Sequence, residues 1–156
     1  MKLTAITVPA VALAAVIAIP AAAQASQFPA CRPSQLHVTL GHERAALGNV
    51  RYVITATDQG TACVLPGYPV LGLQDAAHGH LRSVTTDSRV TFFGPGPAPS
   101  SLLVLHGLKA TASVSFGTGG GAYASYLTVN GKAVPLGARV SGRRLTATAW
   151  TSGSSK

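Results

Sequence analysis

The chain has 156 residues, 47% of them hydrophobic and only 10% charged, enough for one domain and a leader. Twelve Lys and Arg stand against four Asp and Glu, a net charge of +8, which favours anionic partners. Four carboxylates are a thin supply for paired-acid catalysis, and two cysteines are too few to close a zinc site.

The opening, MKLTAITVPAVALAAVIAIPAAAQAS, reads as a secretory signal peptide over residues 1–25. Lys2 is its only charge. Ala5 to Ile19 are apolar apart from Thr7 and Pro9, and Pro20 breaks the run. Ala23-Gln24-Ala25 then supplies the small-residue exit, with cleavage expected before Ser26. A membrane-spanning helix needs about 20 apolar residues. This run is shorter, so no stable transmembrane segment is expected after cleavage. The expected location is secreted, extracellular or in the cell envelope. Lipid anchoring at Cys31 is the alternative, although Phe28-Pro29-Ala30-Cys31 is a poor lipidation box.

The mature chain then reads as a string of short strands. Leu36, Val38 and Leu40 alternate with polar residues. Val50 to Thr57 is β-branched and aromatic, and Asp58-Gln59-Gly60 turns the chain. Thr61 to Leu65 is short and apolar, followed by Pro66-Gly67-Tyr68-Pro69 and an extended Val70 to Leu73. Asp75 to Gly79 reads as a loop and Arg89 to Phe93 as a short strand. Residues 94–99, alternating Gly, Pro and Ala, are expected to be irregular. Ser101 to Leu105 is apolar on both faces, which suggests a central strand.

Ala110 to Phe116 gives the cleanest alternation, and Gly117 to Gly121 a flexible loop. Asn130-Gly131 between Tyr126–Val129 and Lys132–Val134 is a hairpin signal. Leu145, Ala147 and Ala149 mark the last strand, and 151–156 a disordered polar tail. No segment carries a helical period. The fold class is therefore all-β, an immunoglobulin-like antiparallel β-sandwich over 26–150. Its expected core is Leu36, Val38, Tyr52, Ile54, Val114, Phe116, Leu127, Val129 and Leu145.

Two cysteines in an oxidising compartment default to a disulfide, here Cys31 to Cys63, with free thiols as the alternative. Asp75, His78 and His80 form the densest polar cluster and are the candidates for a metal or small-ligand site. His106 lies among serines but has no nucleophile elbow and no acid nearby in sequence. Gly117 to Ala122 nominally fits a dinucleotide fingerprint, yet no helix pattern or later acid follows. The basic residues are scattered, with Arg143-Arg144 the only adjacent pair beyond the leader.

From Cys31 to about residue 149 the chain resembles an exported actinobacterial domain of unknown function, family 4232. The resemblance rests on Cys31 and the Leu36-x-Val38-x-Leu40 strand, and on the Cys-x-Leu-x-Gly-Tyr-Pro motif, here Cys63, Leu65, Gly67, Tyr68 and Pro69. Leu105 to Ala110 looks like the family's Leu-x-Pro-Gly-x-x-Ala turn, with His106 in place of the proline. A second cysteine pair of many members is absent, and the glycine run occupies that region. The resemblance implies a disulfide-bonded β-sandwich and supplies no activity or catalytic residue.

The expectation is a non-catalytic, secreted or envelope module that binds a protein, polysaccharide or lipid surface. Its partners would be anionic envelope components or a secreted protein; no cofactor and no nucleic acid are expected. The alternatives are a ligand or metal site at Asp75, His78 and His80, and, behind it, a hydrolase built on His106.

Overall fold

Alternating apolar residues bury one face of a strand, and a chain of such strands must stack two sheets to hide those faces. The computed structural model describes residues 27–153 and shows this arrangement. In chain order the strands are β1 (Leu36–Ala46), β2 (Asn49–Asp58), β3 (Cys63–Leu65), β4 (Leu71–Gln74), β5 (His80–Leu81), β6 (Val84–Asp87) and β7 (Val90–Thr91). They continue as β8 (Gly94–Pro95), β9 (Leu102–Val104), β10 (Lys109–Gly117), β11 (Ala122–Val129), β12 (Lys132–Val140), β13 (Arg144–Ala147) and β14 (Thr151–Ser152). Short 3-10 turns cover Pro33–Gln35 and Ser141–Arg143. The signal-peptide assignment to 1–25 lies outside the described residues. Among the described residues no helix is long and apolar enough to cross a membrane.

One sheet runs β1-β2-β10-β13-β6, with β14 also on β10; the other runs β12-β11-β4-β5. The core fills the space between them. Leu36, Val38, Ile54, Val114, Phe116 and Leu145 come from the first sheet. Leu73, Leu127, Val129, Val134 and Val140 meet them from the second. Each such side chain contributes about 1.5–3 kcal/mol by leaving water, which drives the sheets together.

The Asn130-Gly131 hairpin forms as its sequence predicts, both residues having positive φ (48° and 82°). Asn130 also ties the hairpin to the strand beside it: its backbone N–H donates to the Val70 carbonyl and its Oδ1 accepts from Val70 N–H, each at 2.8 Å.

Several expectations change. Tyr52 is only half-buried, its ring stacked 5.8 Å from Phe116 at the edge of the core. Leu102–Val104 is not central, because it pairs only with β3 in a two-stranded ribbon. Gly94-Pro95 pairs with β7, and a proline is tolerated there because a two-stranded edge needs no further N–H from it. Val84–Asp87 is a strand without alternation. It joins β13 in parallel at the rim of its sheet, where one-sided burial is not required.

The expected tail starts too early. Thr151 and Ser152 pair with Thr111 and Ala110, and Thr151 Oγ1 donates to the Thr111 carbonyl at 3.2 Å. Just before them, Trp150 is 2% exposed, and its backbone N–H donates to the Gly67 carbonyl at 3.0 Å. The end of the domain is thereby packed onto the loop after β3. Residues 154–156 lie outside the described residues.

Candidate functional site

The two ends of the sandwich differ in chemistry. At one end Cys31 and Cys63 form a disulfide, with Cα atoms 4.8 Å apart. Backbone bonds flank it: Cys31 N–H donates to the Val64 carbonyl and Val64 N–H to the Pro29 carbonyl. Cys63 and Leu65 are fully buried, Pro69 is buried, and the Gly67 carbonyl receives Trp150. These motif residues therefore build the fold.

Asp58 organises the loops at the same end. Its Oδ1 accepts from Gly60 N–H (2.9 Å) and from the Gln35 side-chain amide (3.2 Å). Its backbone joins the 107–108 turn, accepting from Gly107 N–H and donating to the Leu108 carbonyl. The residue is fully buried, and Oδ2 has no hydrogen-bond partner among the described residues. Asp58→Ala orphans two donors and is expected to cost about 2–4 kcal/mol in urea unfolding. Asp58→Asn keeps an acceptor and is expected to cost less; a larger loss for Asn than for Ala would contradict this role.

His106 belongs to the same loop cluster. Its ring Nδ1–H donates to the Gly60 carbonyl at 3.1 Å, so it closes a turn instead of poising a serine.

Asp75, His78 and His80 do not assemble into a metal site. Asp75 Oδ1 accepts from Ala77 and Gly79 N–H at 2.9 and 2.8 Å, which shapes the loop. His78 has a positive φ (62°) and its ring stacks on Tyr126, with centroids 4.3 Å apart. His80 begins β5, so the two histidines do not share a strand face. Among the described residues no group of three His, Cys, Asp or Glu is placed to hold a metal ion.

A shallow groove of about 220 Å³ lies on the outer face of the first sheet, lined by Val53, Thr111, Ser113 and Thr148 beside Arg51. Ser113 N–H already donates to Thr148 Oγ1 and Thr111 bonds Thr151, so its polar wall serves sheet pairing. The Arg51 guanidinium lies 5.5 Å from the Phe93 ring.

The other end gathers cations that the sequence scatters. Arg44 lies near the end of β1, Arg139 near the end of β12, Arg143 in the second 3-10 turn, and Arg144 opens β13. All four are exposed. Strand register brings them to one end: Ala46 pairs with Asn49 at the β1–β2 tip, Phe116 and Gly117 pair with Val50 and Asn49, and Tyr123 lies opposite Arg139. Arg44 and Arg144 are three strands apart, roughly 15 Å at the usual strand spacing. In sequence, Glu43 precedes Arg44.

Backbone contacts hold the end together. Thr118 N–H and Oγ1 both donate to the Gly48 carbonyl, at 2.7 and 3.1 Å. Arg139 Nη1 donates to the Gly121 carbonyl at 3.3 Å. Gly121 has φ 102°, and a Cβ there would strike the Val140 carbonyl, so only glycine lets the loop close on β12. The run at 117–121 is thus tied to the β1–β2 tip through Thr118 and to β12 at Gly121, while Gly119 and Gly120 are exposed between them. Sequence reading singled out Arg143-Arg144 but not Arg44, Arg139 or Leu47. The available signal was position, since each stands at or next to a strand end.

The family model described as "Domain of unknown function (DUF4232)" matches residues 31–151. No curated protein and no solved structure matches the chain. A match over that span of a disulfide-bonded β-sandwich shows that the chain belongs to the domain of unknown function family 4232.

Proposed function

We propose that this is an exported, non-catalytic module that holds to an anionic surface of the cell envelope through its basic end. The observation that carries the reading is that Arg44, Arg139, Arg143 and Arg144, from four separate segments, stand exposed at one end of the sandwich. The leader-like start and the Cys31–Cys63 bond support export into an oxidising space. Asp58 and Asp75 are engaged in loop-building hydrogen bonds, which supports binding over catalysis.

A cation near an anionic surface contributes about 1 kcal/mol, and salt screens it over a Debye length of about 10 Å at 0.1 M. The mature domain should therefore be retained by a sulfated polysaccharide matrix at low salt and released by sodium chloride. Removing two guanidiniums in Arg143→Ala/Arg144→Ala is expected to weaken that binding about 10- to 30-fold. Unchanged retention would overturn the reading.

A further inference from the structure

The β1–β2 hairpin turns at the basic end on two residues, Leu47 and Gly48, both with positive φ (49° and 73°). A two-residue turn of this kind favours Asn-Gly, Asp-Gly or Gly-Gly, and a leucine held at positive φ is strained. The chain shows the ordinary solution at Asn130-Gly131, where asparagine takes nearly the same φ of 48°. Leu47 is 90% exposed, so no burial within the fold offsets its strain. An observed backbone outlier without a structural return points to a functional one.

Its surroundings say what it meets. Arg44 stands three residues before it on β1, the other arginines lie further along the same end of the sandwich, and two further exposed apolar residues belong to that end: Tyr123 opposite Arg139, and Val84 opposite Arg144. The tip is also pre-organised, because Thr118 grips the Gly48 carbonyl with two hydrogen bonds. An end that carries both exposed apolar side chains and exposed arginines matches the boundary between headgroups and acyl chains of an anionic bilayer. Tyrosine is favoured at headgroup level, and arginine meets lipid phosphate. A soluble polyanion would engage the arginines but gain nothing from the leucine.

We propose that the basic end docks on an anionic lipid bilayer with Leu47 inserted at its tip. This rests on the basic end being the anion-binding face. The test uses the mature domain with vesicles of phosphatidylglycerol and phosphatidylcholine, vesicles of phosphatidylcholine alone, and the sulfated polysaccharide matrix. Wild type should sediment with the anionic vesicles and not with the neutral ones. Leu47→Asn should lower anionic-vesicle affinity about tenfold and leave polysaccharide retention unchanged. It should also raise Tm by about 2–4 °C, because asparagine suits the turn better.

Equal vesicle affinity for Leu47→Asn and wild type would overturn the insertion. So would wild-type binding to the polysaccharide but not to anionic vesicles; either result leaves the anion-binding face standing. Failure of wild type to bind polysaccharide and vesicles alike would remove both readings.

Discussion

Trp150→Ala is expected to cost about 3–5 kcal/mol of stability. A domain of this size has only about 5–15 kcal/mol in total, so the variant should unfold at a much lower urea concentration. The indole is 2% exposed and belongs to the same core cluster as Leu65, Val104 and Ala112. Its loss leaves a cavity, and β14 loses the anchor just before it. Among the described residues the indole N–H has no hydrogen-bond partner, so part of the burial gain is offset within the native fold. Trp150→Phe keeps most of the apolar volume and drops the unpaired donor, so it should cost clearly less than Trp150→Ala. Equal losses for Phe and Ala would contradict the packing account.

Removing the disulfide should have an effect of similar size. The bond links residues 32 apart in sequence. Chain entropy for a loop of that length gives about 3–4 kcal/mol of stabilisation. Cys31→Ala/Cys63→Ala should therefore lower the urea midpoint strongly while leaving the strand content of the folded fraction intact. The Ala30–Val64 bridge and the Cys31 to Val64 hydrogen bond sit directly at this joint and should exchange amide protons faster. A wild-type domain whose thermal midpoint does not respond to reductant would contradict the assignment of the bond as a main staple.

How far these features were legible follows from their physical range. Strands with strict alternation, such as Ala110 to Phe116, declare both their type and their buried face. The Asn130-Gly131 turn is equally local, because its φ values restrict the residues that fit. The two cysteines announce their pairing once the compartment is argued. The family resemblance from Cys31 onward holds over residues 31–151.

What depends on distant partners was not legible. Val84–Asp87 has no alternation of its own and becomes a strand only beside Arg144–Ala147. Thr151 and Ser152 are polar and resemble a tail, yet β10 offers them a free edge. Leu47-Gly48 carries no strong turn signal, because leucine is an unfavoured residue at that φ. The metal candidates Asp75 and His78 are engaged locally instead. Asp75 uses its carboxylate to shape the loop, and His78 turns its ring onto Tyr126. The basic end was hidden for the same reason as β6: register brings Arg44 and Arg139 to the end that the adjacent pair Arg143-Arg144 occupies.

Position, not total charge, is the central claim, and a matched pair of variants separates the two. Arg143→Ala/Arg144→Ala removes two cations from the basic end. Arg32→Ala/Lys109→Ala removes two exposed cations from the disulfide end, the side where Arg32 follows Cys31 and Lys109 pairs with Thr57. The salt concentration that elutes each mature domain from the sulfated polysaccharide matrix decides between them. The account predicts a large drop for the first pair and elution near wild type for the second. Equal drops would show that net charge alone drives the binding and would contradict a dedicated basic end.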